Sequence, residues 1–107
     1  MPDLSERTCV PCRRGAPPLS AEEAKAFTTA VNGWSLVNGH HIEKEFTFAD
    51  FKSALAFVNA VGALAEEQGH HPDVYLTWAK VQLIIWTHKI GGLTESDFIL
   101  AAKIDRL

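Results

Sequence analysis

The sequence has little of what would tie the chain to nucleic acid or to a membrane. Ten lysines and arginines stand against thirteen aspartates and glutamates, so the net charge is −3 at pH 7. Without an excess of positive charge there is no electrostatic footprint for a phosphate backbone. The longest apolar run, Leu83–Trp86, is far too short to cross a bilayer. The first ten residues are polar and lack the apolar region of a signal peptide, which favours a cytoplasmic protein without nucleic-acid or membrane partners.

Cysteine is equally scarce, and its two residues, Cys9 and Cys12, form a Cys-x-x-Cys near the N-terminus. This spacing is found in redox pairs and in half of a zinc site. A thioredoxin-like redox pair needs a strand before it and a helix after it, and Pro17-Pro18 disfavour both. A zinc site needs four ligands, so two more would have to come from His40, His41 or another chain. The favoured interpretation is a reduced pair without a role, with metal binding and redox chemistry left open.

The chain length of 107 residues allows one compact domain. Its apolar content of 47% and charged content of 21% are those of an ordinary globular protein. Residues 1–19 are polar and rich in turn-forming residues, which predicts a flexible N-terminal arm carrying the Cys-x-x-Cys. A single domain is expected over residues 20–107.

Helix caps and apolar periodicity divide that domain into seven elements. Ser20 and Glu23 form a capping box that opens the first helix. Asn38-Gly39 between two strand-like runs predicts a hairpin turn, and Ala79-Lys80 is the expected turn of a second hairpin. Gly69 is placed to end the long helix. The predicted elements are a helix over 20–31, strands over 34–37 and 41–48, a helix over 49–68, two strands within 73–88, and a helix from 94 to the C-terminus.

This order predicts an α+β two-layer sandwich. Strands joined by short turns pair antiparallel, so the four strands should form one antiparallel sheet with the three helices on one face, in the order α-β-β-α-β-β-α. In the long helix Phe51, Leu55, Val58 and Ala65 recur at helical spacing and are expected to face the core.

Histidines and carboxylates gather at one predicted junction of these elements. His70 and His71 follow the long helix, His88 ends the last strand, Glu66 lies one turn before His70, and Asp97 lies in the first turn of the final helix. Three imidazoles could bind zinc with an open position for water. They could instead act as general acid and base, because histidine titrates near neutral pH. A structural role for each residue is the third interpretation, and a cap explains Asp97 without any chemistry.

The stretch EEQGHHPDVYLTWAKVQLIIWTHKIGGLTESD resembles the signature of the pterin-4a-carbinolamine dehydratases. That signature has an acidic residue, three spacers, His-His-Pro, an aromatic residue, a later histidine and then an aspartate. The resemblance extends over nearly all of residues 17–107. The matching positions are Glu66, His70, His71, Pro72, Trp78, His88 and Asp97.

The resemblance implies an α+β fold and an activity. The reaction would be loss of water from a 4a-hydroxytetrahydropterin to give the quinonoid dihydropterin, as part of tetrahydrobiopterin recycling, without a metal or organic cofactor. It implies that His70 and His88 are the acid–base pair and that His71 contacts the substrate. Which histidine is the acid and which the base is left open.

The same resemblance implies a set of supporting residues. Glu66 would bind or orient the pterin, and Asp97 would orient His88. Trp34 and Pro72 would wall the pocket, and Trp78, the aromatic residue of the signature, joins this substrate-binding set. The Cys-x-x-Cys lies outside the signature and receives no role.

Two other classes compete with an enzyme. Relatives of this fold act as dimerisation partners of a transcription factor or as assembly chaperones, so a non-catalytic binding or assembly protein is the main alternative. A metal-binding protein using the histidines and cysteines is the other. A homodimer or homotetramer is also expected, formed by edge-to-edge extension of the sheet and by packing of helices.

Overall fold

A four-stranded antiparallel sheet covered on one face by three helices forms the body of the protein. The computed structural model describes residues 4–9 and 17–107. The strands lie in the order β1-β2-β4-β3, so β1 and β3 are the sheet edges and the two hairpins meet along β2 and β4. The predicted α+β sandwich and its element order are confirmed. The elements are a 3₁₀ helix at Leu4–Glu6, α1 Ala21–Thr28, β1 Ser35–Val37, β2 His41–Thr47, α2 Phe51–Gln68, β3 Asp73–Leu76, β4 Lys80–Ile85 and α3 Glu95–Ile104.

Side-chain caps set where the helices begin. Ser20 accepts a hydrogen bond from the backbone N–H of Glu23, whose carboxylate accepts one from Ser20 N–H, so the predicted capping box opens α1. Asp50 caps α2, and this helix therefore begins at Phe51, two residues later than expected. Hydrogen bonds from the Ser53 hydroxyl and backbone N–H to Asp50 lower the pKa of that carboxyl below its ordinary value of 3.8.

The first hairpin turn is the one that the sequence predicts. Asn38 and Gly39 have φ values of 53° and 64°, the left-handed conformation that a type I′ turn requires at both central positions. His40 N–H closes the turn by donating to Val37 O over 2.9 Å. The turn therefore delivers His40 and His41 to the beginning of β2.

The second hairpin turns one residue earlier than predicted. Thr77 N–H donates to Lys80 O over 2.8 Å, so the turn is Trp78-Ala79 and not Ala79-Lys80. Pairing decides this position, because Lys80 already lies opposite Thr47 in β2. From there the alternation of β4 directs Val81, Leu83 and Ile85 into the core and the intervening residues onto the open face of the sheet.

The buried face of α2 differs from the predicted one. Ala54, Val61 and Ala65 are buried, whereas Phe51 and Leu55 are 44% and 39% exposed. The prediction for Ala65 is confirmed and that for Phe51 and Leu55 is wrong. Val58 is half-buried and packs against the core.

Part of the N-terminal segment packs on the domain. Leu4 and Cys9 are 2% and 7% exposed, and Lys103 Nζ donates to Ser5 O over 2.9 Å. Cys9 N–H donates to the side chain of Gln68, the last residue of α2, over 3.0 Å. Residues 4–9 thus lie against the domain, while Cys12 and the rest of the expected arm over 10–16 lie outside the described residues. Within the described ranges, no helix has the length and apolar character needed to cross a bilayer.

Candidate active site

An open pocket of about 350 Å³ lies at the end of the sheet where α2 and β4 both end. Two short segments line it: residues 68–73, which lead from α2 into β3, and residues 86–89, which follow β4. The antiparallel pairing of β3 with β4 brings the two segments together, because Asp73 lies opposite Ile84. His70, His71, Pro72 and His88 therefore share one pocket wall, as the sequence predicts for the three histidines.

A left-handed glycine positions the histidine pair. Gly69 has φ 64°, and its N–H donates to Glu66 O, while His70 N–H donates to Ala65 O over 3.2 Å. These two bonds are those of a Schellman motif, which ends a helix with a fixed backbone path. His70 consequently leaves α2 in a defined direction, and Pro72 prevents the helix from resuming.

His70 is anchored by a buried carboxylate. Its Nε2 lies 2.5 Å from Oδ1 of Asp97, a residue with no exposed side-chain surface. The other oxygen, Oδ2, accepts hydrogen bonds from Thr87 Oγ1 and from Thr94 N–H, each over 2.8 Å. Thr94 and Asp97 form the predicted capping box of α3, so the residue that caps the helix also binds the histidine.

This arrangement differs from the role that the resemblance implies for Asp97. The aspartate was expected to orient His88, and the structure places its carboxylate against His70. The contacts of the two residues that follow Trp86 explain the difference. Thr87 reaches Asp97 from the core side, whereas the His88 ring packs against Trp86, away from that carboxylate.

The tautomer of His70 follows from its partner. A carboxylate accepts hydrogen bonds only, so the imidazole must donate its Nε2–H to Asp97. Its Nδ1 makes no hydrogen bond to any residue that the structure describes. Nδ1 is therefore the nitrogen of His70 that remains for proton exchange with a bound molecule.

The other two pocket histidines are more exposed. His71 Nε2 lies 2.5 Å from Oε2 of Glu66, and the two side chains are 59% and 79% exposed. His88 is 58% exposed, and its Nε2 lies 3.9 Å from Oδ1 of Asp73, beyond hydrogen-bonding distance. The pocket thus combines one anchored imidazole with two that are open to solvent.

Two residues of the predicted substrate-binding set lie away from this pocket. Trp34 is buried and donates from Nε1 to Asp105 Oδ2 over 3.0 Å at the end of α3. Trp78 is 69% exposed in the β3–β4 turn, at the opposite end of β4 from the histidines. Neither residue lines the pocket.

Sequence reasoning missed Thr87, Asp73 and Trp86, which all contact or line the site. Inward-facing and outward-facing residues alternate along β4. This alternation, continued past Ile85, could have pointed to Thr87 and Trp86. For a metal site, at least three ligating side chains must converge. No such group of His, Cys, Asp or Glu occurs in residues 4–9 and 17–107.

Comparisons with known proteins point to one family. The family model described as pterin 4 alpha carbinolamine dehydratase matches residues 17–107. A protein of Rubrobacter xylanophilus named as a pterin-4-alpha-carbinolamine dehydratase is 51% identical, with both chains covered completely. A protein of Alkaliphilus metalliredigens with the same name is 50% identical, over 99% of this chain and 96% of the relative.

Two solved structures share the fold. One is described as a transcriptional coactivator/pterin dehydratase from Brucella melitensis, with a TM-score of 0.78 and 31% identity over 83% of this chain and 96% of that one. The other is described as a pterin dehydratase-like protein that is a RuBisCO assembly factor in the alpha-carboxysome, with a TM-score of 0.60 and 25% identity over 70% of this chain and 88% of that one. On the family match and the full-length relatives, the chain belongs to the pterin 4 alpha carbinolamine dehydratase family of hydro-lyases.

Proposed function

We propose that this protein dehydrates a 4a-hydroxytetrahydropterin to the quinonoid dihydropterin by histidine acid–base catalysis, as a step in recycling the tetrahydropterin. The observation that carries the proposal is the pocket in which His70, bound to the buried carboxylate of Asp97, and the exposed His88 both take part. Family membership supplies the reaction class, and the pocket supplies two imidazoles, the side chain that most often serves as general acid or base.

The reaction needs two proton transfers. One proton goes to the hydroxyl on C4a, so that the C–O bond breaks and water departs with the bonding electrons. Another proton leaves a ring nitrogen, whose electrons form the new double bond. One imidazole donates and the other accepts, and the pair returns to its starting protonation state when the proton is relayed through solvent. His70 would exchange its proton at Nδ1, because Asp97 occupies Nε2.

His71 lines the pocket and Glu66 contacts it from α2, and the two would bind the polar edge of the pterin. Their short contact leaves one carboxylate oxygen of Glu66 and Nδ1 of His71 for the substrate. Pro72 supplies an apolar patch next to them. An open pocket of this kind suits a flat bicyclic ring with donors and acceptors along one edge.

Stopped-flow measurement of dehydration tests the proposal. A freshly generated 4a-hydroxytetrahydropterin is mixed with the wild-type protein, with His70→Ala and with His88→Ala. The wild type should exceed the spontaneous rate, and each variant should lose about 10²-fold or more of that acceleration. Lys80→Ala, at the far end of β4, serves as the control and should keep the full rate. Wild-type protein without acceleration would refute the proposed function.

We also propose that the chain self-associates. The sheet has two unpaired edges, β1 and β3, and the edge strand β3 exposes Val74 and Tyr75. The outward face of α2 exposes Phe51 and Leu55. Such surfaces favour strand addition and helix packing between identical chains. Sedimentation velocity should show a dimer or tetramer at micromolar concentration. The cytoplasmic location expected from the sequence stays a prediction.

A further inference from the structure

Three aromatic rings form a row along the open face of the sheet beside the pocket. The ring centroids of Trp86 and His88 are 4.0 Å apart, with the planes inclined by 40°. On the other side of Trp86, the centroid of His40 lies 4.5 Å away at 45°. Trp86 and His88 are two residues apart and so project from the same face. His40 comes from the turn between β1 and β2, so two separate segments build the row.

Few contacts other than this row hold the His88 ring among the described residues. The Asp73 carboxylate lies 3.9 Å away, too far for a hydrogen bond, and 58% of the side chain is exposed. Among the described residues, the ring of Trp86 is its close aromatic neighbour. His70, by contrast, is 12% exposed and fixed by a buried carboxylate. An acid–base pair works only when both members are held in place, because a misplacement of about 1 Å costs roughly 10²-fold in rate.

His40 is itself held on two sides. Its backbone N–H closes the hairpin turn by donating to Val37 O over 2.9 Å. Its Nδ1 lies 3.1 Å from Nδ1 of His41, so one of these two imidazoles donates to the other. The turn therefore provides a firm support for the second side of the Trp86 indole.

We propose that Trp86 is a positioning residue that orients the His88 imidazole, and that His40 supports Trp86 from the neighbouring hairpin. The proposal rests on the dehydratase function, because the effect of Trp86 on the rate can be measured only if the protein dehydrates the pterin. The ring packing that it requires is testable without any substrate. Neither Trp86 nor His40 belongs to the signature of matched residues, so sequence resemblance assigns them no role.

The packing is tested by NMR of the histidine ring protons. An indole 4.0 Å away should shift the His88 ring protons by its ring current. In Trp86→Leu this shift should disappear, and in Trp86→Phe a reduced shift should remain. His71, which lines the same pocket, is the internal control, and its ring signals should stay in place. Unchanged His88 signals in Trp86→Leu would overturn the proposal, whatever the activity of the protein.

Kinetics test the consequence. Trp86→Leu should lower kcat about 10-fold or more with little change in KM, because it disturbs the proton-transfer geometry and leaves the binding contacts. Trp86→Phe should restore most of kcat. His40→Ala should lower kcat by a smaller factor in the same direction, and Lys80→Ala, at the far end of β4, is the control that should keep the full kcat.

Coupling to His88 separates positioning from other roles. In a His88→Ala background, Trp86→Leu should have no further effect on kcat, because the group that it positions is gone. Multiplicative losses in the double variant, or a rise in KM with kcat unchanged, would overturn the proposal and make Trp86 a substrate contact. If the wild-type protein shows no dehydration, the proposed function fails, and the NMR result alone still decides whether Trp86 packs against His88.

Discussion

Replacing Asp97 with alanine should destabilise the protein far more than the loss of an ordinary helix cap. Its carboxylate has no exposed surface and binds three groups: His70 Nε2 at 2.5 Å, Thr87 Oγ1 at 2.8 Å and Thr94 N–H at 2.8 Å. A hydrogen bond to a charged group contributes about 1.5–3 kcal/mol, and breaking a buried pair costs about 3–5 kcal/mol. We therefore expect Asp97→Ala to lower the free energy of unfolding by about 4 kcal/mol.

That loss is a large share of the roughly 5–15 kcal/mol that stabilises a typical domain. At about 4–8 °C per kcal/mol, the melting temperature should fall by roughly 15–30 °C. Urea denaturation followed by circular dichroism measures the loss at equilibrium. Glu23→Ala is the matched control, because Glu23 occupies the same capping-box position in α1 but is exposed. If Asp97→Ala costs no more than Glu23→Ala, the buried network does not stabilise the fold as argued.

Asp97→Asn separates stability from chemistry. The amide keeps the volume and one acceptor oxygen, which can still receive the bonds from Thr87 and Thr94. Its NH₂ then faces His70 and forces Nε2 to accept, so the proton moves to Nδ1. The variant should unfold at a urea concentration much closer to wild type than Asp97→Ala does, and its dehydration rate should still fall about 10-fold or more. Equal stability losses in the two variants would contradict this account of the network.

The remaining predictions concern α2. Gly69→Ala should cost about 1–2 kcal/mol of stability because φ 64° strains any L side chain, although the site has open space. Gly62→Ala, in the middle of the same helix and also in open space, should instead stabilise by up to about 1 kcal/mol, and urea midpoints for both variants check this opposite sign. Asp50 has a lowered pKa in the folded state, so its contribution to stability is present above the ordinary value of 3.8 and is lost as the pH falls below it. Asp50→Asn keeps a capping acceptor but no longer titrates, so its stability should fall less steeply than that of wild type between about pH 4 and about pH 2.

Features fixed by neighbouring residues could be predicted from the sequence. The Ser20–Glu23 box, the Asn38-Gly39 turn and the Gly69 helix end each depend on backbone groups within five positions. Local chemistry decides such features, and all three occur as expected. The approach of His70 to His88 could also be predicted, although the two are far apart in the chain, because an antiparallel hairpin must return to the side from which it started.

Features decided by packing between distant segments could not be predicted in this way. The β3–β4 turn follows the register of β4 against β2, where Phe48 N–H donates to Ala79 O over 2.8 Å. The face of α2 that is buried, with Ala54 inside and Phe51 exposed, depends on how the helix packs against the rest of the domain. The partner of Asp97 is an intermediate case, since the alternation of β4, continued past Ile85, predicts that Thr87 and His88 face opposite ways.

The two imidazoles of the proposed acid–base pair are therefore held by different parts of the protein. His70 is bound to a carboxylate that also caps α3 and accepts a hydrogen bond from Thr87, just after β4, so its orientation is tied to the stability of the fold. His88 follows Thr87 directly, yet it faces the open side of the sheet, where ring packing holds it. Two neighbouring residues in the segment that follows β4 thus serve both imidazoles, because Thr87 bonds to Asp97 and His88 packs against Trp86. Because the buried carboxylate of Asp97 lies on the core side, substitutions on the open side of the sheet can alter the reaction while the fold remains stable.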